Sequence, residues 1–247
     1  MDRMLYISMS GAKQTMLAQT VNSNNLANVE THGFRADLFQ QRSQHVFGDG
    51  HASRAYAMTE NPAFKMQTGM LETTGRQLDV AINGEGWLTV QSDPETGEEA
   101  YTRAGNLRID DAGFLVTPGG HQVLGDGGPI NLPPFEQIEI ASDGTLSILP
   151  VGQDEAALAV VDRLKLVNPP VDNLFKGKDG LIHTKDGIQA NVDPEVRIVS
   201  GALETSNVSA VESLVKMIEL SRSYELQVKM MKTADKTAET TTQMMRL

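Results

Sequence analysis

The chain has no cysteine. That absence removes disulfides, thiolate zinc centres and cysteine nucleophiles together. Aromatic residues make up only 5% of it, and no basic block offsets a formal net charge of −11. Nucleic acid is therefore not expected as a partner, since phosphate binding needs clustered lysine and arginine. No run approaches the ~18 apolar residues that a membrane span requires, so no direct span is expected either. The polar Ser8, Ser10, Lys13 and Gln14 interrupt what would be the apolar stretch of a cleavable secretory signal. If the protein leaves the cytoplasm, the expected route reads something other than a cleaved signal.

Catalytic and metal-binding motifs are equally thin. Ser10-Gly11-Ala12-Lys13 and Ser213–Lys216 match S-x-x-K, but neither has the S-D-N or K-T-G partners that make it an acylating site. Gly84-Glu85-Gly86 lacks the third glycine and following helix of a phosphate loop and reads as a turn. The histidines (His32, His45, His51, His121 and His183) show no i,i+4 pairing. Asp110-Asp111 and the acidic stretch at 93–99 lack the alternating ligand spacing of a calcium loop. No catalytic residue, cofactor or metal is expected, and the chain does not read as an enzyme.

What is present is 247 residues with 40% hydrophobic content, enough for one large domain or two smaller ones. The two ends resemble each other in kind. Residues 4–28 carry Leu5, Met9, Ala12 and Met16 at helical spacing, then become rich in asparagine at Asn22, Asn24, Asn25 and Asn28. Residues 209–246 carry Leu214, Met217, Ser221, Tyr224, Val228 and Met231 at steps of three and four, the narrow stripe of a coiled coil. Asp235 and Ala238 continue it less apolarly, and Glu212–Lys216 and Glu225–Lys229 fall at favourable i,i+4 spacing. Isolated helices with so little apolar face are marginal, so both ends are expected to be poorly ordered in the monomer and to gain order on assembly. Residues 203–207 offer polar N-cap candidates, and Asn207 and Ser209 stand at the helix start.

From about residue 76 the hydrophobic period changes to two, with turn signals such as Asn83-Gly84, Asp143-Gly144 and Asp179-Gly180 between short runs. Strands are predicted at 78–82, 87–91, 101–102, 106–109, 114–117, 122–124, 137–140, 145–149, 164–168, 181–184 and 197–200. Trp87, Tyr101 and Phe114 are expected in their core. Residues 37–75 fit neither pattern and read as an extended connector. The fold class is thus α+β: long N- and C-terminal helices pairing in a coiled-coil-like bundle, with a central antiparallel β-rich domain. The expected division is 1–36 helical, 37–75 connector, 76–200 β domain and 201–247 helical.

Four stretches then carry a resemblance. Asn24-Asn25-Leu26-Ala27-Asn28 with Thr31, Gly33-Phe34 and Arg35 resembles the N-x-x-T-x-G-F/R box of bacterial flagellar axial proteins. The run 78–87 (Leu-Asp-Val-Ala-Ile-Asn-Gly-Glu-Gly-Trp), the run 101–105 with 113–117, and the run 201–208 (Gly-Ala-Leu-Glu-Thr-Ser-Asn-Val) are similar to the same family, in the family's order. Length implies a rod protein with one β domain rather than a small rod protein or a hook protein. The opening resembles the proximal branch, and Gly86-Trp87-Leu88 stands where the distal rod protein usually has Gly-Phe-Phe. The resemblance implies a structural subunit of the basal-body rod crossing the periplasm. Its partners would be copies of itself, other rod proteins and the flagellar type III export apparatus. The implied assembly residues are Leu5, Met9, Ala12, Met16, Asn24, Asn25, Leu26, Asn28, Leu214, Met217, Tyr224, Val228 and Met231. Asn24, Asn25, Asn28, Thr31 and Gly33 would end the first helix and turn the chain outward. A distal rod protein and a secreted β-rich binding module are the alternatives at this point.

Overall fold

The computed structural model describes residues 3–45, 55–60, 63–93, 97–152 and 158–245. Two stretches without proline become the long helices α1 (Arg3–Ala27) and α2 (Ala210–Met244). At 1.5 Å per residue they run about 37 and about 52 Å. Ser209 caps α2, its hydroxyl accepting from the Glu212 amide at 3.3 Å. The cap thus comes from Ser209 and not from residues 203–207, because Ala202–Glu204 is a strand paired with Leu71–Thr73. The last turns of α2 are rich in threonine. Thr233, Thr237, Thr241 and Thr242 return their hydroxyls to carbonyls four residues back, the local bond such side chains make when nothing else is offered.

The chain divides into two units. The helical unit comprises Met1–Val29, Ala36–Lys65 and Val208–Leu247. In it α1 lies antiparallel to α2, since Asn22 reaches Ser213 while Gly11 abuts Gln227. Within the expected connector, Gln40–His45 and Ala55–Glu60 form an antiparallel ribbon with Gln40 opposite Glu60. Ser10 of α1 donates to the Ala57 carbonyl of that ribbon at 3.2 Å. Buried Phe64 closes the segment, bridging to Asp37.

The β unit comprises Glu30–Arg35 and Met66–Asn207. All its pairings are antiparallel. A five-stranded sheet runs in the order Leu166–Val167, Trp87–Gln91, Glu99–Thr102, Ile182–Thr184, Leu174–Lys176. A three-stranded sheet joins Phe135–Ile140, Thr145–Pro150 and Ala159–Arg163, and Val80–Asn83 pairs with Arg197–Ser200. Leu88, Val90, Leu107, Leu115, Leu146, Ile148, Leu164 and Leu166 fill one core. Trp87 and Tyr101 are buried as expected, but Phe114 is only half-buried, at the lip of a turn where it bridges Asn131.

Candidate functional site

The two faces of the helix pair differ in kind. The buried side of α1 is Ser8, Ala12, Thr15, Ala18, Asn22 and Asn25: small or polar at every step. On α2, buried Ser213 and Ala234 stand at the ends of a line continued by half-buried Met217, Leu220, Tyr224, Gln227 and Met231. The Asn22 amide donates to the Ser213 carbonyl at 2.8 Å, and Thr15 returns its hydroxyl to the Gly11 carbonyl at 2.9 Å. A Cβ at Gly11 would stand 2.9 Å from the Gln227 side chain, so the helices meet closely there because the residue has none.

The large apolar side chains point the other way. Met9 is 51% exposed, Met16 55%, Leu214 50% and Ile218 56%; Tyr6, Leu17, Val211, Val215, Leu226 and Met230 are exposed beside them. Large apolar side chains exposed along both helices are the kind of surface that proteins use for interaction. The residues expected at assembly contacts therefore separate. Ala12 is buried, and Leu5, Met217, Tyr224, Val228 and Met231 are half-buried, while Met9, Met16 and Leu214 face solvent. Sequence reading missed Val211, Val215, Ile218, Leu226 and Met230, all exposed on α2 away from the line that meets α1. Lys216 does not serve Glu212 but sits 4.3 Å from the ring of Phe39.

The asparagine box is built from reciprocal bonds. Asn25 donates to the Asp37 carbonyl and accepts from the Asp37 amide, both at 2.9 Å. The Asn28 side-chain amide donates to the Asn24 carbonyl at 2.9 Å, a carbonyl that also accepts from the Asn28 backbone amide at 3.2 Å, so one residue closes the last turn of α1 twice. Asn24 is exposed and Leu26 half-buried. In the β unit Gly33 takes φ +70°, and its amide donates to the Glu204 carbonyl at 2.8 Å.

Glu204 is buried, and so are the two arginines that hold it. Arg35 approaches one carboxylate oxygen at 3.0 Å and Arg103 the other at 2.8 Å. Both guanidinium groups lie over the Trp87 ring, at 5.7 and 5.3 Å from its centroid. Burial pushes the Arg35 guanidinium down to about 10; Glu204 opposes that shift and Arg103 adds to it. It stays charged at neutral pH, so the cluster holds two cations and one anion away from water.

The side chains of the S-x-x-K matches are engaged elsewhere or lie apart. Ser10 is spent on a backbone carbonyl, Lys13 is exposed, and Ser213 is buried in the helix pair. Ser92 and His183 both bond to the same oxygen of Asp179, at 3.1 and 2.9 Å, instead of to each other. A nucleophile relay needs the imidazole between hydroxyl and carboxylate. Burial raises the Asp179 carboxyl, but hydrogen bonds from His183, Leu181 and Ser92 outweigh it and leave it below the usual carboxylate range. Among the described residues no group of three or more acidic, histidine or cysteine side chains could hold a metal ion, and no helix is long and apolar enough to cross a membrane. The acidic stretch at 93–99 includes residues 94–96, which lie outside the described residues.

Comparison with known proteins bears on the whole chain. Residues 5–35 match the family described as flagella basal body rod protein, 81–148 the flagellar hook protein FlgE/F/G D1 domain, and 199–244 the flagellar basal body rod FlgEFG protein C-terminal region. The chain is 41% identical over 241 residues to the flagellar basal-body rod protein FlgF of Salmonella typhimurium, covering 95% of each. It is 39% identical to the FlgF of Escherichia coli, covering 96% of each. To the flagellar basal-body rod protein FlgG of Bacillus subtilis it is 31% identical, over 95% of this chain and 96% of that one.

Proposed function

The chain belongs to the flagellar basal-body rod protein family, and from that premise we propose that it is a structural subunit of the bacterial flagellar rod, in its proximal part. It is not an enzyme; its work is to join neighbours and pass torque. The higher identity to the FlgF of Salmonella typhimurium and Escherichia coli than to the FlgG of Bacillus subtilis supports the proximal reading over the distal one. The observation that carries the assembly role is the outward apolar face of α1 and α2, with Met9, Met16, Leu214 and Ile218 half-exposed to water. Each such side chain, when covered, contributes up to about 1.5–3 kcal/mol. Repeated along two long helices, that offsets the ordering entropy of the ends.

In this reading the helices of successive subunits pack in a coiled-coil-like bundle, head to tail, which gives an open helical polymer rather than a closed ring. Residues 1–36 and 201–247 carry the axial segments, 37–75, with its ribbon Gln40–His45 and Ala55–Glu60, is a connector that touches neighbours, and 76–200 is the outer β domain. Met9, Met16 and Leu214 meet neighbours directly. Leu5, Ala12, Leu26, Met217, Tyr224, Val228 and Met231 set the spacing within each pair, and Asn24, Asn25 and Asn28 end α1. The partners are further copies and other rod proteins, in a rod that crosses the periplasm. Export runs through the flagellar type III apparatus, where marginal helical ends favour passage through a narrow channel. Electron microscopy of basal bodies from cells lacking the protein tests this. Rods arrested before hook and outer rings form are expected. A rod that grows before stopping would move the subunit to the distal side, and intact rotating flagella would overturn the reading.

A further inference from the structure

The resemblance boxes lie far apart in sequence, at 24–35, 78–87, 101–105 and 201–208, yet residues from each meet at Glu204. One carboxylate oxygen accepts from Arg35 at 3.0 Å and from the Gly69 amide at 2.9 Å, and the other accepts from Arg103 at 2.8 Å. Arg35 donates onward to the Met66 and Gln67 carbonyls, and Arg103 to the Gly84 carbonyl at 2.7 Å. Trp87 lies against both guanidinium groups. The neighbouring backbone is stitched as well. Asn207 donates to the Phe34 carbonyl at 3.3 Å through its amide and to the Gln67 carbonyl at 2.8 Å through its side chain, and Thr205 donates to the Met70 carbonyl at 2.8 Å. The close approaches tolerate only glycine. A Cβ at Gly33 would stand 2.2 Å from the Arg103 carbonyl carbon, and one at Gly69 would stand 1.9 Å from the Thr205 carbonyl oxygen.

These residues share a position in the topology. Segments 30–35, 66–70 and 201–207 are where the chain passes into and out of the β unit. A buried ion cluster is a poor way to gain stability, since an apolar core of equal volume does as well or better. It differs from an apolar core in being directional: its bonds hold particular backbone points in register. We propose that the Arg35–Glu204–Arg103 cluster over Trp87 is a mechanical clamp that carries tension between the three chain passages of the β unit. The proposal rests on the rod reading for its purpose, because a shaft subunit is the setting in which those passages are pulled. The clamp itself is a property of the isolated chain. Arg35, Arg103 and Glu204 are its tension-bearing positions, and Trp87 is the flat surface that keeps the two cations apart and aligned.

The absence of cysteine and the presence of a single tryptophan make the clamp directly measurable. Cysteine handles are placed on the full chain in two geometries for single-molecule pulling: Glu30 with Ser209, across the passages, and Asp111 with Asp186, on turns of the β unit. Trp87 emission establishes that each variant is folded. At fixed load across the passages, Glu204→Gln is expected to rupture at least about tenfold faster than the parent, because two buried cations lose the carboxylate they share. Across the turns the two should rupture at similar rates. Arg103→Lys, which keeps the charge but loses the fork to Glu204 and Gly84, should fall between them and serves if Glu204→Gln does not fold. Equal acceleration in both geometries would reduce the cluster to ordinary core packing and overturn the proposal, as would no acceleration in either. Neither result touches the rod reading, which stands or falls on the basal-body micrographs.

Discussion

Replacing Ile218 by glutamate separates folding from assembly. Ile218 is 56% exposed on α2, so the isolated subunit has little to lose at that position. Glutamate is a better helix former than isoleucine, and an exposed substitution shifts stability by no more than about 0.5 kcal/mol. In the proposed rod contact the same position is covered. The lost apolar contact is then about half of the ~1.5–3 kcal/mol of a whole side chain. A carboxylate forced against apolar neighbours adds roughly 2–3 kcal/mol even after partial rehydration. Together these come to about 4 kcal/mol per contact, or about a thousandfold in affinity. The assay has two parts: thermal unfolding of the purified variant by circular dichroism, and its amount in basal bodies isolated from cells whose own copy is deleted. Parent-like unfolding with almost no incorporation is expected, and Ile218→Leu should incorporate normally. Normal incorporation of Ile218→Glu would refute the reasoning about the outward face. Loss of folding would refute the claim that Ile218 is dispensable to the subunit.

Two further outcomes concern the β unit. Gly105→Ala places a Cβ 1.7 Å from the Val80 carbonyl oxygen, a backbone atom that cannot step aside, and should cost more than about 2 kcal/mol in urea unfolding. Asp143 is held below the usual carboxylate range by the Thr145 amide and then the Thr145 hydroxyl, so its charged form is favoured by folding. A depressed folded value adds stability above the unfolded pKa of about 3.9 and loses it as pH falls through the folded value. Asp143→Asn should therefore be less stable than the parent by about 1 kcal/mol or less at neutral pH, with the difference fading on acidification below about pH 4. A difference unchanged at low pH would contradict that assignment.

Much of the architecture could be read from periodicity where one face of an element is buried and the other wet. Arg197–Ser200 falls where it is expected, the helices at Arg3–Ala27 and Ala210–Met244 lie within a residue or two of their expected ends, and Trp87–Gln91 is legible from its turn-bounded apolar run although both its faces are buried. The ribbon Gln40–His45 escaped because all six of its residues are exposed, so it carries no alternation to detect. Ala202–Glu204 escaped because it is buried throughout and too short to show a period. The contacts of the helix pair were hidden for the opposite reason. Ser8, Thr15 and Asn22 pack inward as small polar residues, and a search for apolar stripes skips them in favour of Met9 and Met16, which face out. The Glu204 cluster could not be read at all: its members are 101 residues apart or more, or belong to separate boxes, and a charged side chain in a sequence looks solvated until its partners are known.

The central claim is that the outward apolar faces of α1 and α2 are what join one subunit to the next. A single cysteine placed at Met9 or at Ile218 of this cysteine-free chain tests it directly. Maleimide labelling is compared between the isolated subunit and purified basal bodies, each normalised to the same sample after denaturation. Both positions should label fully in the subunit and be protected in the basal body. Equal labelling in the two would mean that these faces remain open to water in the assembled rod, and that some other surface holds the subunits together.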